Sequence, residues 1–486
     1  MDYLPEIFWD LPDNQVSVHR YRYHDHVCRL FTESYADQIG GWCDKHDILL
    51  TGHMMREPFL ECQTMALGEA MRSYRSFGVP GMDILCDRRE LTTAKQVQSA
   101  VHQFDAPGMT SEIYGVTNWD FDFRGHKMAG DWQAALGVTC RAHHRTWTSM
   151  GGEAKRDYPA SIGHQSPWYE EYFYIEDYFA RLNTILTRGK PCVKVGVIHS
   201  IEPYWLYWGT QEHTDEIRRE REENFVNLVK WLLLGLIDFD FLSESLLADF
   251  VQEDKEGFQA GAMKYDVVLI PDCMTLRRRT LERLKEFEGR GGKVIFAGRV
   301  PEYVDAMPER EVAKLAERCQ RIRYSRQAVL EALEPYRILD IRDVTGRRST
   351  NFLYQMREEG EERWLFAAHC EKPENPDLAE AEILRFAVPG NYGLEKYDAL
   401  TGTKKSCPVI YEKEKTIWKE VSYEQDAFLY RLYPVCGQIT EEKVEAGKKS
   451  EIGQKNLSQL KLPGLMPVTL HEPNVLLLDR AEYAFD

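Results

Sequence analysis

The chain has 486 residues, 43% of them apolar and 29% charged, with a formal net charge of −17 at pH 7. That surplus of carboxylates argues against a nucleic-acid surface and against docking on anionic lipid, while the length suits two to four globular domains. Eleven singly placed cysteines with no C-x-x-C fit neither a zinc ribbon nor a disulfide mini-fold, and read as buried free thiols in a reducing compartment. The first residues, MDYLPEIFWDLPDN, lack the basic and apolar regions of a signal peptide, so the expectation is a soluble cytoplasmic protein.

Residues 1–47 read as helical, with Leu30, Phe31, Tyr35, Ile39 and Trp42 recurring near the 3.6 period. Ile48-Leu49-Leu50 reads as a short buried strand that ends in Thr51-Gly52-His53. A helix over Glu61 to Phe77 leads to a strand over Val79 to Leu85. A helix over Ala94 to Phe104 leads to a strand over Met109 to Tyr114, and a helix over Gly125 to Leu136 to one over Gly137 to Ala142. Short strands alternating with helices are the signature of a parallel α/β sheet or barrel. Ser166 to Leu186 closes the region as a long helix. Residues 192–306 repeat the alternation, with strands at 193–198, 239–242, 267–270 and 293–297, as in a small doubly wound unit. From about 337 the pattern is β, opening with a hairpin over 351–368. Residues 441–455 read as a polar loop or surface helix, and NVLLLDRAEYAFD as a terminal apolar strand.

The candidate chemistry falls at strand ends, where an α/β barrel keeps its active site. Glu112 closes a strand ahead of Tyr114 and Asn118-Trp119; it is a glycosidase carboxylate or a structural cap. His53, followed by Arg56 and Glu57, either binds sugar hydroxyls or is a loop histidine. Asp83 stands in an otherwise apolar strand, where an unpaired carboxylate is costly, so it meets substrate or an arginine. Of His143 and His144 only one can face the cleft, because side chains alternate along a strand; His144 is the choice, with Trp147 as a sugar platform. Lys155-Arg156-Asp157-Tyr158 is a substrate loop or a solvated one. Asp37, Asp44 and Asp47 read as surface charges. Cys273 follows a strand of the doubly wound unit but lacks the tight-turn glycines of a nucleophile there.

These segments resemble a known group. SEIYG, NW, DW and LGVTCRAHH in this order, then a doubly wound unit and a β region, resemble retaining glycoside hydrolases of the (β/α)8 clan, with the domain order of family 42 β-galactosidases. Thr51-Gly52-His53 with Glu57-Pro58, Pro80-Gly81-Met82-Asp83 and Lys155 to Pro159 are similar to segments of α-L-rhamnosidase-like bacterial enzymes. The likeness covers about residues 1–306. It implies an α/β fold: the C-terminal half of a (β/α)8 barrel, strands five to eight, over 1–191; a flavodoxin-like doubly wound domain over 192–310; and a β-rich, sandwich-like region over 311–486. It implies a glycosidase acting on oligosaccharides or plant-derived glycosides, with Glu112 as nucleophile and His53, Glu57, Asp83, Tyr114, Asn118, Trp119, His144 and Trp147 lining the cleft. The acid/base of the group lies in an upstream strand with no counterpart here, so the chain is expected to be a fragment or one half of a two-chain barrel. No cofactor or metal is implied; rhamnosidase-like relatives leave room for calcium, yet no Asp-rich calcium loop is visible. The implied partners are a carbohydrate and a homo-oligomer through the flavodoxin-like unit, with no nucleic acid and no membrane. The alternative is a catalytically inactive, truncated carbohydrate-binding or scaffold relative. An amidotransferase-like enzyme using Cys273 is a third class.

Overall fold

The computed structural model describes residues 2–435 apart from 10, 13–14, 154–161, 251–255 and 376–379, together with residue 469. The Lys155 to Pro159 loop, the polar stretch 441–455 and the expected terminal strand lie outside the described residues.

Four short strands, β1 (Thr51–His53), β2 (Val79–Asp83), β3 (Thr110–Ile113) and β4 (Cys140–His143), pair in parallel and in chain order. Helices Leu91–Gln103 and Phe123–Ala135 make the crossovers, as parallel pairing requires. Asp122 caps the second by accepting from the Gly125 amide at 3.1 Å. That helix meets Phe173–Leu186 closely at Gly130, where a Cβ would stand 2.0 Å from the Phe179 ring.

Several boundaries differ from expectation. The helix over 61–77 is broken into Leu60–Ala66, Ala70–Ser73 and a 3-10 turn, because Gly68 takes φ +84 where a Cβ would strike Cys28. The long helix begins at Phe173 rather than Ser166. The strand expected to be buried over 48–50 starts three residues later, and Ile48 and Leu49 are exposed. Their exposure continues an apolar stripe. On helix Val18–Phe31, Tyr23, Val27 and Leu30 face solvent at i, i+4 and i+7; Tyr35, Ile39 and Trp42 extend the run. An amphipathic helix normally turns such a stripe inward.

A second parallel sheet contains Val195–Ile198, Phe239–Leu242, Val267–Ile270, Lys293–Ala297 and Gln320–Ile322, arranged second-first-third-fourth-fifth. The first three strands are buried along their whole length, which explains their continuous apolar runs. Two antiparallel sheets follow. Phe352, Phe386, Trp418, Phe428 and Tyr430 are buried in one apolar cluster built from strands of both. Lys190–Pro191 joins the six-stranded one by pairing with Phe352–Glu359.

The three regions share one apolar cluster that runs from Tyr21 through Phe239 to Leu429. The first two are also tied by buried charge. Arg277 donates to Glu202 and Asp25 at 2.7 Å each, and Arg72 to Glu69 at 3.1 Å and to Asp25 at 2.8 Å. Lys95, fully buried, reaches Asp238 at 2.9 Å. The ten described cysteines are free, but Cys86 and Cys140 are exposed rather than buried. Among the described residues no helix is long and apolar enough to cross a membrane.

Candidate functional site

The polar groups converge at the C-terminal ends of β1 to β4. Residues level with one another on paired strands share a face. Asp83 is level with Glu112, and Glu112 with Ala142. The Thr51 and Thr110 hydroxyls meet at 3.1 Å, which puts the alternating positions of β1 and β3 on that same inner face. His53 and His144 then bracket Glu112. Their Nε2 atoms lie 3.5 Å from Oε2 and Oε1 respectively. The Met54 carbonyl accepts from His53 Nδ1 at 2.7 Å, which leaves Nε2 to face the carboxylate. Glu112 keeps a third of its side chain exposed.

Asp83 stands beside Glu112. Burial pushes its carboxyl above the usual range and the Glu112 charge adds to it, against His53 and His144. Its Oδ1 is buried without a hydrogen-bond partner. The ligating atoms of His53, Asp83 and Glu112 lie within 4.8 Å of one another. One imidazole and two carboxylates at that spacing could hold a divalent cation.

Glu57 is buried, and burial first of all raises its carboxyl to about 7; His53, Glu90 and Asp83 are among the charges it feels. Tyr74 donates to it at 3.5 Å, so it belongs to the packed surroundings of the cleft rather than to its exposed wall. Glu90, which the sequence reading passed over, is likewise raised by burial and feels Asp83. Its one sequence signal is its place just before helix Leu91–Gln103, three residues ahead of Thr93.

Tyr114 is a correction. Strand alternation would aim it inward two residues after Glu112. Its φ of +72 reverses it, and its ring is buried against His126 and His143 at 4.6 and 5.4 Å. Its hydroxyl donates to the His126 carbonyl and accepts from Arg141. It is a core residue. His143 likewise points outward, with Nε2 3.1 Å from Glu176. Arg141 joins it there, 3.0 Å from Glu176 and stacked 4.0 Å over Phe179. Asn118 is exposed, and its side-chain oxygen accepts from the Trp119 amide. Trp119 and Trp147 pair at 6.1 Å, with Trp147 largely buried, so Trp147 is not an open platform. Asp37 is half-buried and bound to Arg75 at 2.6 Å, a structural pair rather than a loose surface charge.

Among its described residues the doubly wound sheet offers no comparable cluster of ligating groups. Its crevice between the first and third strands is filled by Arg221, which donates to the Asp272 carbonyl at 3.0 Å and to its carboxylate; about 10 Å³ is left among Ser200, Tyr204 and Tyr324. Cys273 is buried, and burial, then Glu244 and Asp272, push its thiol well above the ordinary value, the opposite of an activated nucleophile.

No family model matches the chain. Among solved structures it is similar to a rhamnosidase from Novosphingobium sp. PP1Y, with a TM-score of 0.64 and 13% identity over 85% of this chain and 39% of that one. It is similar to a β-galactosidase from Bacillus circulans sp. alkalophilus, with a TM-score of 0.57 and 13% identity over 83% of this chain and 67% of that one. A third is a catalytic mutant of a family 42 β-galactosidase from G. stearothermophilus, with a TM-score of 0.52 and 12% identity over 75% of this chain and 61% of that one. Among curated proteins, one of Formosa agariphila described as "Putative beta-glucuronidase" is 23% identical over 273 residues, 55% of this chain. The match spans only 21% of that relative. The fold is that of glycoside hydrolases.

Proposed function

We propose that the protein is a glycoside hydrolase acting on O-glycosidic bonds of oligosaccharides or plant-derived glycosides, with Glu112 as nucleophile. The observation that carries this is the placing of Glu112 at the end of β3, half-open and bracketed by His53 and His144 at 3.5 Å each. The two imidazoles would hold the carboxylate in place for attack on an anomeric carbon. Similarity to a rhamnosidase and to β-galactosidases supports the class of reaction.

The geometry also sets a condition. Glycosidases flank the scissile bond with two carboxyls, about 5–5.5 Å apart when configuration is retained. Asp83 is close enough but stands on the neighbouring strand, level with Glu112. Two groups side by side cannot address opposite faces of one sugar. Asp83 therefore tunes and positions Glu112, and the proton donor comes from outside this four-stranded sheet. The same fact favours the second reading, a carbohydrate-binding relative without catalysis.

A panel of 2,4-dinitrophenyl glycosides separates the two, because that leaving group departs without protonation. Release of dinitrophenol that is abolished by Glu112→Gln supports the enzyme. A 2-fluoro analogue should leave a sugar adduct on Glu112, seen by peptide mass. Sugar binding with no release and no adduct would leave only the binding relative.

A further inference from the structure

The loops that leave the C-terminal ends of β1, β2 and β4 each carry an arginine that the fold does not use. Arg56 follows His53 at the end of β1, Arg88 follows Asp83 at the end of β2, and Arg145 follows His143 at the end of β4. All three are exposed, and among the described residues none forms an ion pair with a carboxylate. Arginines close by that hold the structure are answered. Arg89, next to Arg88, pairs with Asp87 at 2.5 Å, Arg124 with Asp122 at 2.7 Å, and Arg141 of β4 with Glu176 at 3.0 Å. What sets the three apart is their convergence on one site, not exposure alone. We propose that the cleft over Glu112 takes a sugar bearing an anionic substituent, a carboxylate or a sulfate ester, which Arg88 and Arg145 bind with Arg56 beside them. This rests on the glycosidase reading of the same site and names the class of sugar it acts on.

The strand order places the arginines. β2 and β4 are the two neighbours of β3, so Arg88 and Arg145 stand on the loops to either side of Glu112. Paired strands lie about 4.8 Å apart, and a substituent of a sugar seated over Glu112 is then about one strand spacing from each loop. Arg145 directly follows His144, whose Nε2 is 3.5 Å from Glu112, and its guanidinium lies 5.9 Å from the centre of the Trp147 ring. The charge of Arg88 acts on the Glu90 carboxyl, which itself feels Asp83. Arg56 takes φ +64, a backbone state that a bulky side chain enters at a cost. Strain of that kind gathers at ligand-binding sites.

The arginines are not what balances the carboxylates of the cleft, since the charges acting on Asp83 are those of Glu112, His53 and His144. By themselves Asp83 and Glu112 repel an anionic sugar. Cations at the rim offset that repulsion, and a neutral sugar needs no such offset. A guanidinium presents its donors in a planar fork that matches two oxygens of a carboxylate or sulfate. Exposed cations around a cleft also draw an anionic ligand in before contact.

The test is titration calorimetry on the full chain with a panel of uronate and sulfated oligosaccharides, each paired with its uncharged form, methyl-esterified or desulfated. At least one charged member should bind about tenfold more tightly than its uncharged form, and which series does so tells carboxylate from sulfate. The preference should shrink as salt is raised. Arg88→Gln and Arg145→Gln, both at exposed positions, should keep the circular dichroism of the parent and each cut the preference by about tenfold. No binding of any charged member, uncharged forms bound as tightly, or a preference within twofold of the parent in both variants overturns the proposal. Charged sugars held through the arginines, with no release from any activated glycoside, would keep the anionic cleft and sink the glycosidase reading. Release from neutral glycosides alone would do the reverse.

Discussion

Two parallel sheets in this chain bring polar groups to the C-terminal ends of their strands, and they use them in opposite ways. At the ends of β1 to β4, Glu112, Asp83, His53 and His144 stay partly open, and Asp83 keeps a buried oxygen unpaired. At the same ends of the doubly wound sheet, Asp272 is closed by Arg221, and Glu202 by Arg277. The first arrangement leaves its carboxylates open to a ligand; the second pairs Asp272 and Glu202 with arginines inside the protein, although Glu202 also keeps one buried oxygen without a hydrogen bond. Position at a strand end thus marks a place where chemistry can be built. Whether charges are answered within the protein decides whether it is.

The comparison breaks most visibly at Glu112. Glu112→Gln should lower turnover of an activated glycoside by at least about 10⁴-fold, read from initial rates, with the urea midpoint within a few tenths molar of the parent. On the closed side the effect should be on stability. Arg277→Met leaves Glu202 and Asp25 without their shared cation and should cost about 3–5 kcal/mol in urea unfolding. A loss under 1 kcal/mol would mean that the network is not the tie between regions that its geometry describes.

Glu57 gives a pH-dependent effect of intermediate size. Its folded value of about 7 lies above the ordinary 4.5, so the fold favours the protonated acid. The stability this contributes is full below about pH 4.5 and is lost as pH rises through 7. Glu57→Gln should therefore gain up to about 3 kcal/mol on the parent between pH 5 and pH 8, measured by thermal or urea unfolding at both. An equal offset at the two pH values would refute the shift. Smallest of all, Cys273→Ser should leave glycoside turnover within twofold; a larger loss would reopen catalysis in the doubly wound region.

Much of this was legible from residue order, for physical reasons. The alternation of short strands with helices pointed to parallel sheets, and a lone Asp83 in an apolar strand marked a polar site, because burying an unused carboxylate is too costly. What escaped the sequence depended on distant neighbours or on rare backbone states. Tyr114 obeys strand alternation in sequence and defies it in space, since a positive φ at a non-glycine residue leaves no local signal. Ile48 and Leu49 read as core, yet face solvent, because an apolar pattern records that a surface is to be covered without recording by what. The Gly68 break in the helix over 61–77 needed the approach of Cys28 to be seen.

The two-residue strand Lys190–Pro191 bears on how such a protein came to be assembled. A boundary at 191 would cut the chain inside a strand hydrogen-bonded to Arg357 and Glu358, next to Cys192, whose amide donates to the Met356 carbonyl at 2.8 Å. Genetic exchange at that point would strip the six-stranded sheet of an edge strand and divide the apolar cluster that the three regions share. The three regions are consequently a single heritable block, and recombination that preserves folding has to carry them together.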